Sequence, residues 1–232
     1  MFNKSIARPK AVGEKSREVI LEKALELFRE KGFEATTMRD IAKAAQVATG
    51  AAYYYFPSKE AIVGAYYEQV QQRHAERVRG ELADRRGLQE RLGVVLHSKL
   101  QILQDDRRFL GALFRYTGEP GHPLSVFGEG TSEQRRRSME MFREAMSGGE
   151  LSAEMRQILP WGLWLAHLGM ILFFLYDGSE GQARTHRLVD GALDLLVSLV
   201  GLTNAAMVRP FVKPFLEKGL EMLRGAGLAE GS

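Results

Sequence analysis

The sequence predicts an all-α fold: an N-terminal three-helix unit joined by a long helix to a larger C-terminal helical domain. Three observations carry this expectation. Apolar residues recur at helical spacing almost throughout, and no run alternates apolar and polar residues as a half-buried strand does. Residues 33–62 hold two short helical patterns a few residues apart, the second ending in Tyr53-Tyr54-Tyr55-Phe56 before a turn and Lys59. Two short helices on a tight turn form a helix-turn-helix (HTH), the geometry that lays one helix in a DNA major groove. The excess positive charge is confined to this part: residues 1–60 carry 11 Lys/Arg against 8 Asp/Glu, the remainder 21 of each. A basic segment attracts phosphate by counterion release, although three charges are within ordinary variation.

Residues 1–15 read as a loose basic arm, with Lys4, Arg8, Lys10 and Lys15 against Glu14 alone. The first helix is expected from about Ser16, with Ile20, Ala24, Leu27 and Phe28 on its inner face. Gly32 stands where a left-handed C-cap is wanted, followed by Phe33 for the hydrophobic contact. Thr37-x-x-Asp40 is a capping-box variant that opens the second helix, whose inner face is Ile41 and Ala45. The third helix spans about 48–55. Pro57-Ser58 breaks it, and Ser58 N-caps a fourth helix running to about Arg79. Further helices are expected at 87–104, 106–116, 131–147, 152–176, 182–202 and 211–224. Gly118-Glu119-Pro120-Gly121-His122-Pro123 is the clearest internal break. The helix pattern divides the chain into 1–62, a candidate DNA-binding unit with the HTH at about 37–56, and 63–232, a larger helical domain.

Composition excludes several classes of function. Cysteine is absent, so disulfides, thiol nucleophiles and Cys-ligated zinc are ruled out. The five histidines show no metal spacing, and no phosphate-binding loop, dinucleotide fingerprint or nucleophile elbow is present. No metal, cofactor or catalytic group is expected. The N-terminus lacks the apolar region of a secretory signal. Trp161–Tyr176, the longest apolar stretch, contains His167 and is flanked by Arg156 and Asp177. It is short for a membrane span and reads as a buried core helix. A soluble cytoplasmic protein with no membrane partner is the expectation.

A recognition helix needs small or polar residues at base edges and donors for phosphates at its ends. Thr49, Gly50, Ala51 and Tyr53 offer such a surface, with Tyr54 and Lys59 as phosphate donors and Arg39 reaching a guanine or a phosphate. The tyrosine block is equally compatible with core packing, and Arg39 and Lys59 with solvated surface charge.

From Val19 to Tyr67 the chain resembles the DNA-binding region of the TetR (tetracycline-repressor-type) transcriptional regulators. The resemblance is carried by Phe28, Gly32-Phe33, Thr36-Thr37, Ile41-Ala42, Val47, Gly50, Tyr53, Tyr55-Phe56 and Ser58-Lys59-Glu60. It implies an all-helical homodimer bound to double-stranded operator DNA, with Thr37, Arg39, Thr49, Gly50, Ala51, Tyr53, Tyr54 and Lys59 on the DNA side. Ile41, Val47 and Phe56 would form the small core of the unit. The chain departs from the pattern at four places. Gln46 stands where the family has Gly in the turn, at a cost of about 1 kcal/mol if the turn needs positive φ. Ala48 replaces a Ser N-cap, worth about 1 kcal/mol. Thr49 replaces a frequent Lys, and Ala52 a larger aliphatic residue.

In the C-terminal two-thirds, Gly162, Ala166 and Gly169 form a small-residue stripe, and Gly191, Leu195, Ser198, Leu199 and Leu202 a second face. Two such helices from each of two subunits make a four-helix bundle about a two-fold axis; the alternative is packing within one chain. Phe114, Arg115, Met139, Phe142, Trp161, Trp164, His167 and Met170 are candidate lining of an apolar small-molecule pocket, with Arg115 and His167 as polar anchors; the alternative is plain core. The expected function is a sequence-specific DNA-binding regulator, a repressor released from its operator by a largely apolar small-molecule effector. The competing expectation is a helical-bundle enzyme or small-molecule binding protein whose N-terminal helices are only structural.

Overall fold

A computed structural model describes residues 9–119, 121–205 and 207–226, and the side chains among these from residue 13 onward. The chain is 81% helical. Among the described residues ten α-helices follow one another: α1 Pro9–Lys31, α2 Met38–Ala44, α3 Thr49–Tyr55, α4 Lys59–Leu82, α5 Leu88–Leu103, α6 Arg107–Thr117, α7 Ser132–Ala145, α8 Ala153–Tyr176, α9 Ala183–Asn204 and α10 Arg209–Gly225. No strand occurs among the described residues.

α1 buries Ile20, Leu21, Ala24, Leu25 and Phe28. It starts earlier than the expected Ser16: residues 9–15 are helical and not a loose arm, while residues 1–8, with Lys4 and Arg8, lie outside the described residues. Pro9 occupies the first helical position, where a missing N–H costs nothing. The helix stops at Gly32, which adopts φ +88° as a left-handed cap. The buried Thr36 hydroxyl donates to the Gly32 carbonyl at 2.8 Å.

The start of α2 is a full capping box. Thr37 Oγ1 accepts from the Asp40 N–H at 3.2 Å, and Asp40 Oδ2 accepts from the Thr37 N–H at 3.0 Å. Its end is a Schellman motif. Val47 N–H donates to the Ala42 carbonyl at 3.0 Å, Gln46 N–H to the Lys43 carbonyl at 3.2 Å, and Gln46 takes φ +54°. The turn therefore demands the left-handed conformation even though the residue is not Gly. Ala48 precedes α3 with extended backbone and gives no side-chain cap. Ser58 Oγ accepts from the Ala61 N–H at 3.2 Å at the start of α4.

The chain divides into two compact units, and the boundary differs from the expected 62/63. One unit comprises Met1–Gln69 and Arg108–Thr131; the other comprises Val70–Arg107 and Ser132–Ser232. α6 belongs with the first unit because its apolar face packs on α1 and α4. Phe109 stacks on Phe28 at 5.5 Å and meets Tyr66 edge-on at 5.7 Å, and Leu113 is fully buried.

The second unit is a helical bundle whose core takes Leu92, Val95, Leu96 and Leu100 from α5, Met139 and Phe142 from α7, Trp164 and Phe174 from α8, and Val189 and Leu193 from α9. Arg91 ties the ends of two helices: its guanidinium donates to the carbonyls of Leu82 at 3.0 Å and Ala145 at 2.9 Å. Asp177 caps α9. Its buried carboxylate accepts from the N–H and hydroxyl of Ser179 and from the N–H and hydroxyl of Thr185, all between 2.7 and 2.9 Å. Burial pushes this carboxyl upward, but the four hydrogen bonds outweigh it and hold the group well below the usual carboxylate range. α8 is long and apolar enough to cross a membrane by length and composition alone. It is not the fully buried core helix that its sequence suggests, because Leu165, Leu172, Phe173 and Tyr176 are exposed. The apolar residues run around the whole helix, and only one side of it meets its own chain.

Candidate functional site

α3 has two sides. Ala52, fully buried, and the adjoining Phe56 face the unit's interior, and Tyr55 lies beside α1, its hydroxyl 3.5 Å from where a Cβ on Gly13 would stand. On the opposite side Gly50 is exposed, Tyr53 is 51% exposed and Tyr54 82%, with Thr49 and Ala51 half-buried at the margin. The tyrosine block is thus both core and surface, divided residue by residue. Nothing lies within 4 Å of a Cβ built on Gly50. Glycine is not required there by the protein's own packing.

The eight predicted DNA-side residues all fall in the first unit, on the α2 start, α3 and the α4 start. Arg39 is exposed and makes no ion pair among the described residues. The Thr37 hydroxyl donates to Asp40 at 2.7 Å as part of the capping box, so its first role is local. Lys59 also has internal partners: Nζ donates to the carbonyls of Phe33 at 2.6 Å and Glu34 at 3.4 Å and lies 4.4 Å from the Phe33 ring centroid. It ties the α4 start to the segment after α1, which the sequence alone did not suggest. Arg17 was missed as well: its guanidinium lies 4.8 Å from the Phe56 ring centroid, and an isolated Arg on an exposed helix face gives no sequence signal for that contact. Ile41 and Phe56 are buried as expected of the small core, while Val47 is half-buried.

The eight predicted pocket residues are divided between the two units. Phe114 and Arg115 belong to the first unit. Arg115 is exposed, and its guanidinium donates to the Glu34 carboxylate and to the Tyr116 hydroxyl, so it is a surface ion-pair partner and not a pocket anchor. The cause is helix phase: Phe109, Leu110 and Leu113 define the inner face of α6, and Arg115 falls off it. The other six lie in the second unit. Met139, Phe142, Trp164 and His167 are buried, and Trp161 and Met170 half-buried. His167 meets the Phe142 ring edge-on at 5.7 Å.

Around His167 lie polar groups that sequence reasoning missed. His74 is fully buried on α4, with Nε2 2.8 Å from the Val95 carbonyl and its ring centroid 6.4 Å from that of His167. Buried Lys99 on α5 donates from Nζ to Gln71 Oε1 at 2.6 Å. Gln71 Nε2 donates to Ser138 Oγ at 2.7 Å and to the Gln134 carbonyl at 3.0 Å. Burial, and then the field of nearby Arg73, lower Lys99 to about 7. Burial and then Lys99 lower His74 to about 2 and His167 to about 3, so both imidazoles are neutral. A sequence signal for this cluster exists. His74 sits on the Val70–Val78 stripe of α4 and Lys99 on the Leu92–Val95–Leu103 stripe of α5, each a polar residue at a core position.

All eight predicted dimer residues, Gly162, Ala166, Gly169, Gly191, Leu195, Ser198, Leu199 and Leu202, are exposed. A Cβ on Gly162, Gly169 or Gly191 would meet nothing within 4 Å, so these small residues do not make room for a helix of the same chain.

Comparison with known proteins agrees with this arrangement. Residues 20–66 match the model of bacterial regulatory proteins of the tetR family, and residues 91–219 that of the tetracyclin repressor-like C-terminal domain. The HTH-type transcriptional repressor KstR2 of Rhodococcus jostii is 33% identical over 111 residues, 44% of this chain and just over half, 54%, of that protein's length. The probable HTH-type transcriptional regulator ArpR of Pseudomonas putida is 26% identical over 94% of this chain and 96% of its own. Among solved structures, Thermus thermophilus FadR, a TetR family transcriptional repressor in complex with lauroyl-CoA, superposes with a TM-score of 0.58 at 24% identity, covering 76% of this chain and 92% of that one. With both halves of the chain accounted for, the second by a model covering more than half of its length, the protein belongs to the TetR family of DNA-binding transcriptional regulators.

Proposed function

We propose that the protein is a homodimeric repressor whose α3 helices read two operator half-sites and whose C-terminal unit binds a small molecule that releases it. The observation that carries the DNA-reading part is the division of α3. Its inner side is fixed by Ala52 and Phe56, while Gly50, Tyr53 and Tyr54 present an open face with hydroxyl donors. Gly50 allows close approach to base edges, and the tyrosine hydroxyls reach phosphates. Arg39 adds a bidentate donor beside them. Lys59 supports this face by tying the α4 start to the backbone at Phe33, with one proton left to donate to a phosphate.

Dimerisation is supported by the exposed apolar faces of α8 and α9. Gly162, Ala166 and Gly169 flank Leu165, Leu172 and Phe173 on one helix, and Leu195, Leu199 and Leu202 line the other. An apolar surface of this kind is characteristic of a helix-bundle interface between copies. Release by an effector requires a ligand with different affinity for the DNA-competent and DNA-incompetent states. The aromatic and methionine-rich interior around Met139, Phe142 and Trp164 suits an apolar ligand, and the lauroyl-CoA held by the Thermus FadR gives one precedent for an acyl group.

A quantitative mobility shift with the DNA upstream of the protein's own gene tests this reading. A sequence-selective shift that weakens steeply with salt is expected. Binding that is equal on unrelated DNA, or absent at low salt, would contradict it.

A further inference from the structure

In the C-terminal unit, buried Lys99 has no anionic partner among the described residues. Lys99 is 7% exposed, and its Nζ has a single hydrogen-bond partner, the neutral amide oxygen of Gln71. It forms no ion pair among the described residues, and the charge that acts on it is that of Arg73, another cation. A buried ammonium costs several kcal/mol unless it is paired. Two imidazole nitrogens nearby are also left over. Among the described residues, His74 Nδ1 and His167 Nε2 are buried without a hydrogen-bond partner, and so is Oε1 of Gln134. His74 uses Nε2–H on the Val95 carbonyl, which can only accept. Ser138 Oγ accepts from Gln71 and keeps its own proton to donate. Folding alone gives no reason to collect these groups. Buried polar atoms are almost always paired, and the exceptions cluster at sites that wait for a partner.

We infer that Lys99, Ser138 and His167 form the anchor for the carboxylate of an apolar monocarboxylic acid. This rests on the reading of the C-terminal unit as effector-binding and specifies what it binds. The argument for the class is charge and surroundings. One ammonium balances one negative charge, so a monoanion makes a neutral pair with Lys99, whereas a doubly charged phosphate leaves an excess. Ser138 supplies a hydroxyl donor, and His167 donates from Nε2 in the tautomer that carries its proton there. Met139, Phe142 and Trp164, all buried around His167, provide the apolar lining for the rest of the ligand. Methionine and aromatic side chains repack readily enough to admit a chain where the structure is closed. Carboxylate binding restores the full charge of Lys99, which bonds Gln71 and feels the charge of Arg73 from α4, while His74 from α4 and His167 from α8 lie in its field and Gln134 and Ser138 from α7 bond Gln71. Binding at pH 8 therefore takes up a proton.

The test is isothermal titration of the full-length protein at pH 8 with unbranched monocarboxylates from butanoate to dodecanoate, each paired with the matching primary amide. Two buffers of different ionisation enthalpy report proton uptake. Carboxylates of some chain length are expected to bind with uptake of close to one proton, and their amides at least about tenfold more weakly. Lys99→Met is expected to fold, to be more stable than the wild type, and to lose about 10- to 100-fold in carboxylate affinity. If no carboxylate in the series binds, or Lys99→Met binds them as the wild type does, the inference is overturned. Mobility shifts on the same samples separate the two claims. Carboxylate binding that leaves the operator complex intact removes the effector role and keeps the site. Operator binding without carboxylate binding removes the site and keeps the regulator.

Discussion

Gln46 shows how a single residue bears a local conflict. The Schellman motif after α2 needs a left-handed residue, and Gln46 adopts φ +54° to meet that need. A non-glycine side chain in this region costs about 1 kcal/mol. Gln46→Gly is therefore expected to raise the stability of the protein by about 1 kcal/mol in urea unfolding, with the m-value unchanged. No gain would mean that the Gln46 side chain makes up its backbone strain elsewhere. The conflict was legible in the sequence through the family resemblance, because Gln46 stands where the family has Gly in the turn. Lys59 was legible only as a charge. Its internal bonds to the Phe33 and Glu34 carbonyls depend on the path of the chain 25 residues earlier, and no local pattern encodes that path. Lys99 and His74 announce themselves as polar residues on apolar stripes, yet their convergence on His167 needs α4, α5 and α8 to pack together first.

At the scale of elements, helix ends were readable wherever a cap marks them. Thr37, Gly32, Ser58 and Ser152 each stop or start a helix within a residue of the expected place. α1 was misjudged at its start because Pro9 is its only N-terminal signal and the residues that follow carry mixed charge. The packing partners of α6 were not readable for a different reason. Its amphipathic face says that it packs on something, and only the Phe28 and Tyr66 rings show on what. The α9 start yields a pH prediction. The Asp177 carboxyl lies below its unfolded value of about 3.9, so the stability it adds is present above pH 4 and is lost as pH falls toward its folded value. Asp177→Asn is expected to lower stability at pH 7, because the amide cannot accept all four hydrogen bonds. The gap between variant and wild type should close below pH 4 in acid-unfolding curves. A constant gap across pH would assign the loss to shape and not to charge.

For the whole molecule, the open faces of α8 and α9 imply a second copy. Leu195 is 61% exposed at the centre of the α9 face, so a charge there disturbs little within one chain. Leu195→Glu is expected to turn a dimer into a folded monomer in sedimentation experiments, and a variant that remains dimeric would place the interface elsewhere. DNA binding is then expected to fall with it, because two half-sites are held through one dimer. The central claim is that the open side of α3 meets DNA, and Gly50 tests it most directly. A side chain at Gly50 meets no atom of the protein itself, so Gly50→Glu should fold as well as the wild type or better. In the mobility-shift titration on the upstream DNA, Gly50→Glu should lose at least about tenfold in affinity, because it puts bulk and a negative charge against base edges and phosphates. A folded Gly50→Glu protein that binds the operator as tightly as the wild type would contradict the account.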